Sequence, residues 1–244
     1  MSASDGAVGA LEKIVDNGPN RDRWNLVILG DGYAVAELAK YHSDVQQFVL
    51  TLRATSPFDK LWPAINVHRV DVVSTDSGAD DPVDCPDGAG SGARPLTFFD
   101  ASFCSVAPGG VRISRLLTVD SDRAEDVAKR AVPEVHQTLV IVNASKYGGS
   151  GGKVAVCSTD VSAAQIALHE IGHSAFDLGD EYGGNGTGTP LGEPPHANVT
   201  RDKRALEKWH ELIAPTTPTP TACAPGCADC VPPANPPSPG TVGT

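Results

Sequence analysis

The sequence predicts an α/β domain built on a twisted mixed sheet, and three observations support that class. The first is a strand–helix–strand succession, in which Trp24–Leu29 is a short apolar run, Ala34–Ala54 carries a helical apolar stripe and Ile65–Val73 alternates apolar with polar residues. This order favours parallel strands joined by a right-handed crossover. The second is the apolar run Leu139–Val142, typical of a buried strand. The third is a proline-free stretch, Val161–Leu178, rich in alanine, leucine and isoleucine and therefore predicted to be helical.

The remaining elements divide the chain into a lead-in over 1–23, a domain over 24–213 and a tail over 214–244 rich in proline and cysteine. Further predicted elements are helices over Val8–Val15, Ile113–Leu117, Arg123–Ala131 and Ala205–Ile213, and strands over Gln137–Asn143 and Lys153–Cys157. The composition of 214–244 favours a linker or disordered tail.

The helix over Val161–Leu178 contains the pattern His169-Glu170-x-x-His173. Residues four apart lie on one face of a helix, so both imidazoles can bind one metal ion. Glu170 is displaced around the helix, which suits a carboxylate that deprotonates metal-bound water. Asp160 is a natural N-cap. An apolar stripe that would seat this helix on the core comprises Ala164, Leu168, Ile171 and Ala175. The pattern predicts an active-site helix that holds one catalytic Zn²⁺, with Glu170 as general base.

A catalytic zinc ion needs a third protein ligand and an open position for water. Gly179 is suited to end the helix, and the acidic residues that follow it can supply that ligand. Asp180 is the first choice and Glu181, with its longer reach, the second. Tyr182 can either stabilise an oxyanion or pack as an aromatic side chain. His196 and His210 are predicted to be surface or loop histidines.

The stretch His169–Ser174, continued by Leu178–Tyr182, resembles the motif of the bacterial IgA metallopeptidase family. The other stretches that resemble this family are Leu29–Tyr33, Ser56–Phe58 followed by Ile65–Val70, Asn143 with Tyr147–Gly149, and Asn198–Thr200 leading to Lys208–Trp209. Together they run from Trp24 to Trp209. The resemblance implies a zinc-dependent endopeptidase with a metzincin-like fold that acts on protein or peptide substrates. The immunoglobulin substrate in the family's name is not extended to this chain.

The resemblance also implies that Val154, Ala155 and Val156 form an edge strand lining the cleft, whose free backbone groups pair with an extended substrate. The chain departs from the metzincin pattern in two places. Phe176 and Gly179 stand where metzincins have a glycine and the last metal ligand, and Met1 is the one methionine, so none lies in a turn beneath the metal.

Composition excludes some classes of function. The net charge of −11 argues against a nucleic-acid-binding surface. The sequence has no apolar run of about 18 residues, so no membrane span is expected. Residues 1–6 lack the basic and apolar segments of a secretory signal. A monomer is expected.

The six cysteines favour an oxidising, extracellular setting and therefore a secreted protein. Cys85 and Cys104 bracket a loop rich in proline and glycine and are predicted to form a disulfide. Cys223, Cys227 and Cys230 lack the fourth ligand of a structural zinc site, so a disulfide-pinned turn is favoured there.

The segment Ser74–Arg94 is predicted to be an irregular acidic loop. Its acidic side chains, which could bind Ca²⁺, are Asp76, Asp80, Asp81, Asp84 and Asp87. They lack the spacing of a calcium-binding loop, so a solvated loop is favoured. Asp31 with Gly32 could likewise form a metal or substrate site, but turn chemistry explains the pair.

Three hypotheses of function follow. A secreted zinc endopeptidase is favoured. A catalytically inactive, metal-binding extracellular scaffold or interaction module is the alternative, because the metzincin methionine is missing and the tail is long. A redox or structural cysteine protein ranks third, because it leaves Glu170 unexplained.

Overall fold

The structure is a computed structural model that describes residues 5–86, 88, 90–107, 109–179, 195–200, 208–209, 211 and 242–243. Its contacts divide the chain into two compact units, Met1–Phe176 and Asp177–Thr244. The division therefore falls inside the range 24–213 that the sequence assigns to one domain. The predicted boundaries at 23 and 213 stay predictions.

A six-stranded mixed sheet organises the first unit. Its strands are β1 Gly6–Val15, β2 Trp24–Asp31, β3 Ile65–Ser74, β4 Gln137–Val142, β5 Gly149–Ser150 and β6 Ala155–Cys157. Their order across the sheet is β1-β3-β2-β4-β6-β5. The pairs β2–β3, β2–β4 and β4–β6 are parallel, whereas β1 and β5 are antiparallel to their neighbours. In the second unit, β7 Val199–Thr200 pairs antiparallel with β8 Val242–Gly243. The predicted mixed α/β class is confirmed.

Helices cover both faces of the six-stranded sheet. The α-helices of the described residues are α1 Leu38–Ala54, α2 Phe58–Leu61, α3 Ser121–Ala131 and α4 Ala163–Phe176. One core cluster joins Leu26 and Ile28 of β2 to side chains of α1 and α4. A second cluster joins Val27 and Leu29 to side chains of α3. Alternate residues of β2 thus enter opposite cores, as the period of two of a strand requires, and this places α4 against one face beside β6.

Two helix predictions are wrong. Gly6–Val15 is a strand that pairs with β3, although Val8–Val15 was predicted to be helical. Ile113–Leu117 is not a helix, because Leu116 N–H donates to Ile113 O in a turn and Leu116 bridges to Gly149. Ala205–Ile213 lies largely outside the described residues.

A buried carboxylate holds the loop that follows β3. Asp31, at the end of β2, accepts hydrogen bonds from Ser74 Oγ at 3.0 Å and from the N–H groups of Phe99 at 3.0 Å and Ala101 at 3.2 Å. Burial raises the pKa of Asp31 above its ordinary value, against the lowering effect of these hydrogen bonds. Asp31 therefore serves the packing of the loop around Phe99, which agrees with the structural role favoured from its turn sequence.

Asp31→Ala is expected to lower the free energy of unfolding by about 2–5 kcal/mol, because the buried Phe99 N–H and Ser74 hydroxyl lose their acceptor and each costs about 1–3 kcal/mol, while Ala101 N–H keeps Thr97 Oγ1 at 3.0 Å. Urea unfolding monitored by circular dichroism measures this loss. Asp59→Ala is the control, since Asp59 is exposed and should change stability by less than about 0.5 kcal/mol. Equal stability of the two variants would contradict the role given to Asp31.

Cys85 and Cys104 form the predicted disulfide, with Cα atoms 5.8 Å apart. Cys157 is a free, buried thiol, and Cys223, Cys227 and Cys230 lie outside the described residues. Within the described ranges, every helix is too short or too polar to cross a membrane.

Candidate active site

The His-Glu-x-x-His pattern lies in the middle of α4, which covers Ala163–Phe176 and so is two residues shorter at each end than the predicted helix. Asp160 Oδ1 accepts from Ser162 N–H at 2.8 Å just before its first turn. The buried side chains of α4 are Ile166, Ala167 and Ile171. Of the predicted stripe, Ile171 is fully buried, while Leu168 and Ala175 pack at the margin of the core. The helix is therefore rotated slightly from the predicted orientation, which leaves its histidines on the accessible side.

His169 and His173 converge. Their Nε2 atoms are 3.0 Å apart, and the two rings are nearly perpendicular. Two nitrogens that each lie about 2.0–2.1 Å from one zinc ion are at most about 4.2 Å apart, so this separation allows a shared ion. Imidazole nitrogen is also a preferred zinc ligand. The two residues therefore fit a zinc ion as a partial ligand set.

The side chain of Glu170, which belongs to α4, faces a glycine-rich segment. A methyl group at Gly149 would stand 3.3 Å from Glu170 Oε1, and one at Gly151 would stand 3.2 Å from Glu170 Oε2 and 2.8 Å from His173 Cβ. Glycine at these positions lets the backbone approach the carboxylate closely. The sequence interpretation missed this close approach, although a cluster of glycines before the motif helix is a usable signal for it.

Two further interactions fix the surroundings of Glu170. Gln137 Nε2 donates to Ser174 Oγ at 2.8 Å, and Ser174 Oγ donates to the Glu170 carbonyl at 2.8 Å, which ties α4 to the start of β4.

Burial, together with the negative charges of Glu170 and Asp44, raises the pKa of the Cys157 thiol. Cys157 therefore stays a neutral thiol and is not suited to be a nucleophile or metal ligand here.

The edge of the sheet beside α4 is β5, not the segment Val154–Val156. In β6, Val156 pairs with Val140 of β4 on one side and with Ser150 of β5 on the other. Val154, Ala155 and Val156 are each at most 1% exposed. The prediction that they form a free edge strand is therefore wrong. The reason is that the Gly149–Ser150 segment folds back as a further strand.

On the outer side of β5, the backbone groups of Gly149 are already hydrogen-bonded to another segment. Gly149 N–H donates to Arg115 O at 3.2 Å, and Leu117 N–H donates to Gly149 O at 3.3 Å. Ser150 Oγ also donates to Leu117 O at 2.6 Å. Beyond Ser150, Gly151 and Gly152 are exposed. The accessible backbone nearest Glu170 is thus Gly151–Gly152.

The predicted third ligands and Tyr182 lie outside the described residues, because Asp180, Glu181 and Tyr182 fall in the range 180–194. His210 is also outside them. Within the part of the chain that is described, no set of three or more His, Cys, Asp or Glu side chains is arranged to hold a metal ion. In the second unit, His196 Nδ1 lies 2.8 Å from Asp177 O, and Asn198 bonds to both backbone groups of Gly179.

The acidic loop shows ion pairs at two of the residues considered for calcium. Asp81 pairs with Lys146 at 2.5 Å and Asp84 with Arg112 at 3.0 Å. These cations lower the pKa of both carboxyl groups. Asp87 lies outside the described residues, so the favoured interpretation of the complete set, a solvated loop instead of a calcium site, stays a prediction.

A family model described as IgA Peptidase M64 matches residues 12–225, which is most of the chain. The chain belongs to the IgA Peptidase M64 family. It is accordingly a peptidase, a hydrolase that acts on protein substrates. No curated protein is detectably similar to it in sequence. The match to the IgA Peptidase M64 family confirms the resemblance stated from the motifs and covers both the helix α4 and the residues that follow it.

Gly151→Ala is expected to lower peptidase kcat/KM by about tenfold to a hundredfold, because the added methyl group displaces His173 or Glu170 and small misplacements cost that much. The φ of Gly151 is not positive, so alanine is not strained there by its backbone conformation. Gly9→Ala in β1, remote from α4, is the control. Unchanged kcat/KM in the Gly151 variant would show that this close approach does not matter.

Proposed function

We propose that this peptidase is a secreted, zinc-dependent endopeptidase with a metzincin-like catalytic domain. The observation that carries the proposal is the 3.0 Å convergence of the His169 and His173 Nε2 atoms on α4, with Glu170 beside them at the glycine-rich edge of the sheet. In a member of a peptidase family, this arrangement matches the needs of metal-assisted hydrolysis.

His169 and His173 would hold the zinc ion, and Asp180, or else Glu181, would complete the protein ligands. When bound, zinc supplies a Lewis acid that polarises the scissile carbonyl and lowers the pKa of its water to about 7. Imidazole suits this task because its ring nitrogen is a common zinc ligand in proteins.

Glu170 would act as general base and then as general acid. Its carboxylate accepts a proton from the attacking water and later delivers it to the leaving amine. The glycine-rich segment limits the space around that carboxylate, since a methyl group at Gly151 would stand 3.2 Å from Glu170 Oε2. A fixed carboxylate is favoured because proton transfer requires hydrogen-bonding distance to the reacting groups.

The peptide substrate would lie across the exposed Gly151–Gly152 backbone, in place of the buried Val154–Val156. Gly151 passes close to α4, since a methyl group there would stand 2.8 Å from His173 Cβ, whereas Gly152 borders open space, with no atom within 4 Å of a methyl group built on it. Backbone pairing of this kind binds many sequences, because the hydrogen bonds do not depend on side chains.

The disulfide supports secretion, because such bonds persist in oxidising compartments. The proposed secretion rests on that chemistry.

A casein digestion assay combined with metal analysis tests the proposed function. The purified full chain should contain about one zinc ion, lose its activity to a chelator and regain it on addition of zinc. Cleavage that survives complete removal of metal would overturn zinc dependence. Stoichiometric zinc without cleavage of any protein substrate would instead support the inactive metal-binding scaffold.

A further inference from the structure

A short turn lies next to the edge strand at the candidate active site. Leu116 N–H donates to Ile113 O at 3.0 Å, which places Ser114 and Arg115 at the tip of this turn. Gly149 N–H donates to Arg115 O at 3.2 Å, so the tip is fixed directly to β5. The turn therefore has a defined position relative to the sheet.

The same strand residue connects the turn to Glu170. Gly149 bonds to Arg115 on its outer side, and a methyl group built on Gly149 would point to the face covered by α4, 2.5 Å from Ile166 Cγ2 and 3.3 Å from Glu170 Oε1. Neighbouring strands are about 4.8 Å apart, so the backbone of Arg115 lies about one strand spacing beyond Gly149, next to the segment that passes Glu170. A peptide that reaches Glu170 over β5 also passes this turn.

Arg115 has no side-chain partner among the described residues. Three other cations of the first unit do have one. Lys146 pairs with Asp81, Arg112 with Asp84 and Lys153 with Asp122. Arg115 is exposed. The donors of its guanidinium are thus not used by a described side chain, in a protein whose net charge is −11.

We propose that Arg115 is a specificity-determining residue that binds a carboxylate of the peptide substrate close to the scissile bond. A guanidinium matches a carboxylate through two parallel hydrogen bonds, which neither a backbone amide nor a neutral side chain reproduces. The carboxylate belongs either to an acidic side chain or to the free C-terminus of the substrate. This inference rests on the proposed function, because it takes Glu170 to mark the reacting centre.

The experiment uses the zinc-loaded full chain and a peptide taken from its preferred cleavage site in casein. The peptide is synthesised with glutamate or glutamine at each position near the scissile bond, and with a free or amidated C-terminus. For the wild type, glutamate in place of glutamine at one position, or a free in place of an amidated C-terminus, should raise kcat/KM by about tenfold. This is the effect expected of one charge-assisted hydrogen bond. The position that responds identifies which source of carboxylate is bound.

Arg115→Ala should abolish this preference, so the ratio of kcat/KM between the acidic and the neutral peptide falls about tenfold, mainly through KM. Arg115→Glu should reverse it in favour of a lysine peptide. Arg130→Ala is the matched control, because Arg130 is an exposed arginine of α3 and its loss changes the net charge equally. A ratio that is the same in the wild type and in both Arg115 variants would overturn the inference.

Glu170→Gln separates this outcome from failure of the proposed function. If that variant still cleaves both peptides at the wild-type rate, the proposed catalytic centre is wrong. If it is inactive while the Arg115 variants keep the wild-type ratio, the centre stands and only the role of Arg115 is lost.

Discussion

Replacing Glu170 with glutamine should lower kcat/KM for casein-derived peptides by at least about a hundredfold, the usual contribution of a general base. Glutamine has nearly the same size as glutamate, so it fits beside the glycine-rich segment as glutamate does. What is lost is the ability to accept a proton. Steady-state kinetics at saturating zinc, with metal content measured on the same samples, provides the comparison.

Glu134→Gln is the control for this substitution, since it makes the same change of charge at an exposed residue. It should retain wild-type kcat/KM. Zinc content and the circular dichroism spectrum should be equal in all three proteins. An active Glu170→Gln enzyme with normal zinc content would show that proton transfer depends on another group.

His169→Ala and His173→Ala are expected to abolish both zinc retention and peptidase activity. Each substitution removes one of the two nitrogens that lie 3.0 Å apart. Changes to groups that merely orient a zinc ligand weaken binding by about 10–100-fold, so loss of a direct ligand should weaken it by more than about a hundredfold. Competition with a chromophoric chelator measures the dissociation constant.

His42→Ala is the matched control, because His42 bonds to Asp71 at 2.8 Å, away from α4. It should retain zinc with unchanged affinity. If His42→Ala and His169→Ala bound zinc equally well, the ion would not be held by the α4 pair.

The fold was predictable where local sequence and tertiary packing agree. β2, α1, β3, α3 and β4 all have apolar patterns that match their buried faces. β1 has Val8, Leu11 and Ile14 three residues apart, which resembles a helical pattern. Much of β1 is exposed, so pairing with β3, rather than burial of one face, determines its conformation.

The candidate site shows the same distinction. The pairing of His169 with His173 depends only on helical spacing, so four residues of separation were enough to predict it. The position of β5 depends on the strand order, and two residues, Gly149 and Ser150, carry too little periodicity to reveal a strand. That is why the edge was assigned to Val154–Val156, one strand too far inward.

Crystals of the full chain containing zinc, measured at the zinc absorption edge, test the central claim most directly. The anomalous difference map should show one strong peak in contact with the Nε2 atoms of both His169 and His173, and Glu170 should lie close to it without being a ligand. A peak bound to other side chains, with these two histidines turned apart, would contradict the account.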